Sequence, residues 1–255
     1  HIPLELAQER RLHQGVSDAR KQNGPLITER GALVTDETLF DIASLTKVFA
    51  TTYLFLKYAE RDPNLLNRTI SEFFDVATLL NHKKMVAGAE SIANMGSADI
   101  VGAIPIKALL SHHAGFEPNP LFYDPHYSET LYCQNRAQFL KSLLQSPLRN
   151  MPETIGLYSD VDFMLLSFIL EKIGGAKLDA QLRSIFWEPL KLSHICYQPL
   201  LHGFSKEQIA ATERNGNSRD GLYQYPNIRT EMIQGEVQDE KAYYCMEGIS
   251  GHAGL

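Results

Sequence analysis

The run Ser44-Leu45-Thr46-Lys47 sets a hydroxyl and an amine three positions apart. A serine hydroxyl is a weak nucleophile and needs a base to take its proton. On a helix, residues i and i+3 share one face, one turn apart, so Lys47 can point at Ser44. A lysine in an apolar setting gives up its proton more readily, because burial disfavours the ammonium. Spacing alone proves little. Sixteen serines and twelve lysines in 255 residues yield about 0.75 such pairs by chance. The context carries the argument. Lys47 falls in the first turn of a segment whose only other charge before its last turn is Lys57. A lysine there is costly unless it has a task.

Tyr158-Ser159-Asp160 is the second candidate. A phenol there can share proton transfer with Lys47, and Asp160, two residues on, can fix Lys47 and the substrate. The plainer reading has Ser159 or Asp160 capping a helix and Tyr158 packed in the core. His112-His113 and His252 suggest a Ser-His-Asp triad or a metal site, but there is no HExxH and no Gly-x-Ser-x-Gly elbow. They read as structural histidines. Gly248 to Gly254 is glycine-rich without a Walker lysine. No cofactor and no metal is therefore expected.

These residues need elements to hold them. Leu45, Val48, Phe49, Thr52, Tyr53 and Leu56 recur at helical spacing, and Ala50, Leu54 and Phe55 make the segment apolar on most faces. That predicts a buried helix from Ser44 to about Glu60, ended by Asp62-Pro63-Asn64. Asp160 to Ile173 reads as a second apolar helix, stopped by Gly174-Gly175. Shorter helices are predicted over 106–111, with Gly115 as its C′ glycine, over 138–145 and over 178–187. Thr35 to Phe40 reads as a strand, Pro152 to Gly156 as a turn and 116–132 as an irregular loop. Residues 1–30 show weak periodicity, and 76–103 has no clear pattern.

The length suits one large domain or two lobes around a cleft. Hydrophobic residues make up 44% and the net charge is −6. An acidic balance argues against nucleic acid, which needs clustered Lys and Arg. No run of 18 apolar residues occurs, so no transmembrane helix is expected, and no leader opens the sequence. Cys133, Cys196 and Cys245 are odd in number and lack CxxC spacing, which suggests neither a disulfide framework nor a zinc site.

Several segments together resemble the serine β-lactamase and penicillin-binding protein family, in its class C branch. Phe40 to Lys47 resembles the first active-site box. Leu109-Leu110-Ser111-His112-His113-Ala114-Gly115-Phe116 is similar to an LLSHTSGF loop. Leu157 to Asp160 matches the Tyr-x-Asn second box, and Gly251 to Leu255 resembles an AGGL segment. Order and spacing agree over about residues 33–255. Glu117 to Pro120, Tyr158 to Asp162, Pro226 to Thr230 and Gln234 to Ala242 resemble the penicillin-binding protein 4B group of periplasmic D-alanyl-D-alanine carboxypeptidases.

The resemblance implies an α/β (α+β) fold of the β-lactamase/transpeptidase type, an antiparallel sheet flanked by helices plus a helical lobe. The α/β lobe would take residues 1–43 and 205–255, and the helical lobe 44–204. Ser44 would be acylated, Lys47 would act as base, Tyr158 would shuttle the proton, and Asp160 would bind substrate. The Ser44 N–H would form half of the oxyanion hole. The family's third box, a Lys-Thr-Gly or His-x-Gly strand, follows well after the AGGL segment, and these strands are not in this chain. Residues 1–30 lack the family's glycine-containing hairpin. The second box carries Asp160 where Asn is usual, and a carboxylate beside Lys47 opposes its role as base.

The expected function is a serine hydrolase working through an acyl-enzyme, a D-alanyl-D-alanine carboxypeptidase on peptidoglycan stem peptides that also takes β-lactams. The alternatives are an esterase or weak β-lactamase with the same site, a Ser-His esterase using His112 or His113, or an inactive relative that binds peptidoglycan or protein. A periplasmic location follows from the resemblance alone. Membrane association would lie outside this chain, and the sequence gives no oligomeric state.

Overall fold

The computed structural model describes residues 34–80 and 98–255. The readings of residues 1–30 and of the segment around Gly88 and Gly96 lie outside the described residues.

The helical run 43–59 comes first. It opens as a 3-10 turn (Ala43–Leu45), widens into a π-helical stretch (Lys47–Thr52) and closes as α1 (Tyr53–Ala59). Two short helices follow, α2 (Val76–Leu79) and α3 (Ala98–Gly102), then α4 (Ile106–Leu110) and α5 (Arg136–Leu144). The longest is α6 (Asp160–Gly174). Its N-cap is Ser159, whose hydroxyl accepts from Val161 N–H, and Gly175 at φ 67° closes it. α7 (Leu178–Leu182) runs on into a π-helical stretch (Arg183–Trp187). β1 (Ala211–Glu213) pairs antiparallel with β2 (Ile233–Gln234), and α8 (Glu240–Met246) follows. Among the described residues this is an α/β fold with a small antiparallel sheet.

The run 43–59 packs along α6, and Leu54, Phe55, Met164, Leu165 and Ile169 meet in one core with Leu109, Phe116 and Phe139. Burying that much apolar surface is what holds the helices in place. The stripe predicted to be buried is the wrong one. Leu45 is 56% exposed, and Val48, Phe49, Tyr53 and Leu56 are exposed with it. The buried face is Thr46, Lys47, Ala50, Thr51, Leu54 and Phe55. A segment apolar on most faces offers two stripes, and its polar residues mark the inner one here. They are the residues that hydrogen-bond across to 251–255.

Two local expectations are corrected. Thr35 to Phe40 is not a strand: it turns at Thr35–Thr38, and only Leu39 bridges, to Ile209. Gly115 is not the C′ residue of α4. His112, at φ 57°, takes that place. Gly115 serves a close approach instead, because a Cβ there would lie 2.2 Å from the Asn150 carbonyl oxygen. All three cysteines are free. No helix among the described residues is long and apolar enough to cross a membrane.

Candidate active site

Ser44 sits in the first turn of the run 43–59, exposed, where helix N–H groups have no intrahelical partner. The residue before it is strained. Ala43 has φ 47°, a conformation that costs an L-residue about 1–2 kcal/mol. Asp41 holds this turn. Its Oδ1 accepts from Ala43 N–H at 2.7 Å and its Oδ2 from Gln238 N–H at 2.9 Å. Burial nevertheless pushes the Asp41 carboxyl above its ordinary range.

Lys47 is buried, with three partners around Nζ: Ser44 Oγ at 3.0 Å, Asp160 Oδ1 at 2.8 Å and the His252 carbonyl oxygen at 3.3 Å. Two of the three are pure acceptors. A neutral amine can give its two N–H groups to Asp160 and His252 and turn its lone pair to the Ser44 hydroxyl. The geometry therefore suits an amine that takes the serine proton and keeps its other bonds.

Asp160 is not the helix cap. That position belongs to Ser159, and Asp160 turns its carboxylate to the lysines, with Oδ2 3.1 Å from Lys241 Nζ. Burial would raise the Asp160 carboxyl. Lys241, His252 and Lys47 together outweigh that and hold it below the usual carboxylate range. Tyr158 is 52% exposed, so it is not a core residue. Its ring lies 4.7 Å from Lys47 Nζ and stacks on His112 at 4.4 Å. No hydrogen bond joins its hydroxyl to Ser44 or Lys47, so the ring face, rather than the phenol, meets the lysine.

The segment 251–255 closes the site from the other side. Ile42 N–H donates to the Leu255 carbonyl, Leu255 N–H to Thr46 Oγ1, and Thr51 Oγ1 to the Gly251 carbonyl at 2.7 Å. Gly251 has no room for a side chain. A Cβ there would come within 2.5 Å of the Phe163 carbonyl oxygen and 2.6 Å of Thr51 Oγ1. Its glycine lets the chain pass between the run 43–59 and α6 and bring the His252 carbonyl to Lys47.

The structure thus brings Ser44, Lys47 and Asp160 together, with the ring of Tyr158 alongside. It adds residues that sequence reasoning did not assign. His252, read as merely structural, presents its carbonyl to Lys47 and its Nε2 to Asp239 Oδ1 at 2.9 Å. Lys241 and Asn119 complete the cluster, with Lys241 Nζ donating to Asn119 Oδ1 at 2.5 Å. The signal was a lysine inside an apolar helix, at position 241, and it was used only as part of a resemblance. Asp160, Asp239 and His252 also present ligand atoms within 4.8 Å of one another. The positive charge such a set invites is supplied by Lys241, which touches both carboxylates. His112 and His113 do not join Ser44. His112 Nδ1 faces Asp162, and His113 Nδ1 faces the Ser111 carbonyl.

A lysine amine set against a serine hydroxyl at the head of a helix, on this fold, defines the class of β-lactamase-like serine hydrolases. The sequence agrees: residues 12–255 match the Beta-lactamase family, and the chain belongs to it. It is 38% identical over 239 residues to a protein of Escherichia coli (strain K12) described as "Putative D-alanyl-D-alanine carboxypeptidase", covering 93% of this chain and 52% of that protein. It is also 38% identical over 239 residues to the "N-acetylmuramyl-L-alanine amidase" of Bacillus subtilis (strain 168), covering 93% and 51%. The chain spans about half the length of these curated relatives. Among solved structures, SurE aligns with TM-score 0.57 at 17% identity, over 91% of this chain and 42% of that one. The octameric penicillin-binding protein homologue of Pyrococcus abyssi aligns with TM-score 0.55 at 16% identity, over 89% and 43%. Both are likenesses of fold.

Proposed function

We propose that this chain carries the acylation centre of a D-alanyl-D-alanine carboxypeptidase that acts on peptidoglycan stem peptides and is also acylated by β-lactams. The observation that carries the reading is the placement of Lys47 Nζ, 3.0 Å from Ser44 Oγ and held by two further acceptors. Lys47 takes the Ser44 proton as Oγ attacks the carbonyl carbon of the scissile amide. The C–N bond then breaks, the leaving amine takes the proton that Lys47 carries, with the Tyr158 hydroxyl turning in to relay it, and an ester on Ser44 remains. Water hydrolyses that ester and returns the serine. The Ser44 N–H stabilises the oxyanion, where one such donor is worth about 3–4 kcal/mol. Asp160 holds Lys47 and borders the substrate. In the same reading, residues 44–204 form the helical side of the cleft, and 1–43 with 205–255 form the α/β side. The substrate lies outside the cytoplasmic membrane, so the reading carries a periplasmic location with it.

The test is covalent labelling of the full-length protein with a fluorescent penicillin, read by intact mass. One adduct is expected, and it disappears in Ser44→Ala. Labelling that survives Ser44→Ala overturns the nucleophile. No labelling, together with no hydrolysis of a D-Ala-D-Ala peptide, overturns the carboxypeptidase.

A further inference from the structure

Asp160 poses an electrostatic problem for the proposed base. A carboxylate 2.8 Å from Lys47 Nζ favours the ammonium, the form that cannot accept a proton from Ser44. Something must balance Asp160 if Lys47 is to lose its proton.

Lys241 supplies that balance. Lys241 is only 4% exposed and stands on the opposite side of the same carboxylate, with Nζ 3.1 Å from Asp160 Oδ2. The two oxygens of Asp160 are divided, Oδ1 to Lys47 and Oδ2 to Lys241. Lys241 cannot turn away. Asn119 Oδ1 accepts from it at 2.5 Å, and Asp239 Oδ2 lies 3.6 Å off. We infer that Lys241 is a positioning residue for the acylation step: its fixed ammonium neutralises Asp160, so that the carboxylate orients Lys47 without holding a proton on it. This deepens the serine-hydrolase reading and rests on it.

The surroundings are consistent. Lys241 faces Asp160 from α6, Asp239 and Glu240 from the start of its own helix, and Tyr123 from the loop before α5. Burial alone would lower the Lys241 ammonium, but Asp239 and Asp160 outweigh it and lift it well above the ordinary lysine range, so it stays charged. Asp239 is in turn bonded to His252 Nε2 and Ala242 N–H, and Arg219 pairs with Glu240. Asp162, in the same first turn of α6, feels the Asp160 charge and has His112 as its neighbour. Among the described residues, Lys47 and Lys241 are the two cations in ion-pair contact with Asp160. Remove Lys241 and the carboxylate has only the base to pair with.

The readout is the pH at which penicillin acylation of Ser44 switches on, measured on the full-length protein. In Lys241→Met the ascending limb should move up by about one pH unit, a tenfold loss of rate on that limb. Lys241→Arg should bring it back toward the wild type. In Asp160→Asn, with the carboxylate gone and Lys241 still charged, the limb should move to lower pH. A merely structural role for Lys241 would lower the rate or the melting temperature and leave the limb where it was. A limb in Lys241→Met within about 0.3 units of wild type overturns the inference. If Lys241→Met fails to fold, Asp160→Asn decides, and an unmoved limb there overturns it. A wild-type protein that takes no label at Ser44 overturns the parent reading instead, so the two failures are told apart.

Discussion

Lys47 and His252 stand 205 positions apart, yet Lys47 Nζ donates to the His252 carbonyl oxygen at 3.3 Å. That bond has a consequence for the chemistry. A carbonyl can only accept, so it fixes one N–H of Lys47 in direction and leaves the amine lone pair free for Ser44. It also makes the site depend on the path of residues 251–255, which is set by hydrogen bonds to Thr46 and Thr51 rather than by anything near the serine in sequence.

Lys47→Ala should lower penicillin acylation by about 10²- to 10⁴-fold, the usual range for loss of a positioned base. Its stability cost should be smaller than that of emptying an ordinary buried ion pair, about 3–5 kcal/mol, because Lys241 still faces Asp160. The checks are the pseudo-first-order labelling rate and a chemical denaturation curve on the same preparation. A rate within a few-fold of wild type would remove Lys47 as the base.

Gly251→Ala should both destabilise the protein and slow acylation. The new methyl would meet the Phe163 carbonyl oxygen and Thr51 Oγ1, so the run 43–59 and α6 must part or the segment must lift. Overpacking of this kind costs about 1–3 kcal/mol. The acylation loss should exceed what a reduced folded fraction explains, because the His252 carbonyl moves off Lys47. Equal losses in folded fraction and in activity would mean that the carbonyl does nothing for the chemistry.

Asp41→Asn tests the latch on the strained turn. The two carboxylate oxygens accept from Ala43 and Gln238, and an amide can satisfy only one of them. The stranded N–H and the opposed amide group should cost about 1–3 kcal/mol, and the slackened turn should slow labelling of Ser44. The melting temperature and the labelling rate check this together. An unchanged labelling rate would show that the strain at Ala43 is not tied to the serine.

Much of this was legible in the sequence, for definable reasons. Ser44, Lys47 and Asp160 are carried by a short motif and the head of a long apolar helix, both local signals. The helix at 160–174 was readable because its cap, its apolar run and its terminal glycines all agree. The inner face of the run 43–59 was misread because apolar residues occupy both of its sides. Thr46, Thr51 and Lys47 face inward only because residues 200 positions later supply their partners. The pairing of Lys241 with Asn119 and Asp160, and of His252 with Lys47, left no mark for the same reason. Charge pairs of that separation leave no period and no motif.

Asp162 should make the protein less stable as pH rises. Its side chain is fully buried at the start of α6, with Oδ1 lacking a partner among the described residues and Oδ2 3.1 Å from His112 Nδ1. Ser159 N–H also points at that nitrogen, at 3.2 Å. Burial pushes the Asp162 carboxyl up to about 7, against the partial opposition of His112. A carboxyl raised in the folded state binds its proton more tightly there than in the unfolded chain. Its contribution is therefore full below the unfolded value near 4 and is lost as pH rises through 7. Between pH 5 and pH 9 that loss amounts to about 2–3 kcal/mol. Asp162→Asn imitates the neutral acid and cannot ionise. The stability advantage of the variant over the wild type should widen by that margin between pH 5 and pH 9 in denaturation experiments. Parallel stability curves for the two proteins across this range would show that folding does not raise the Asp162 carboxyl.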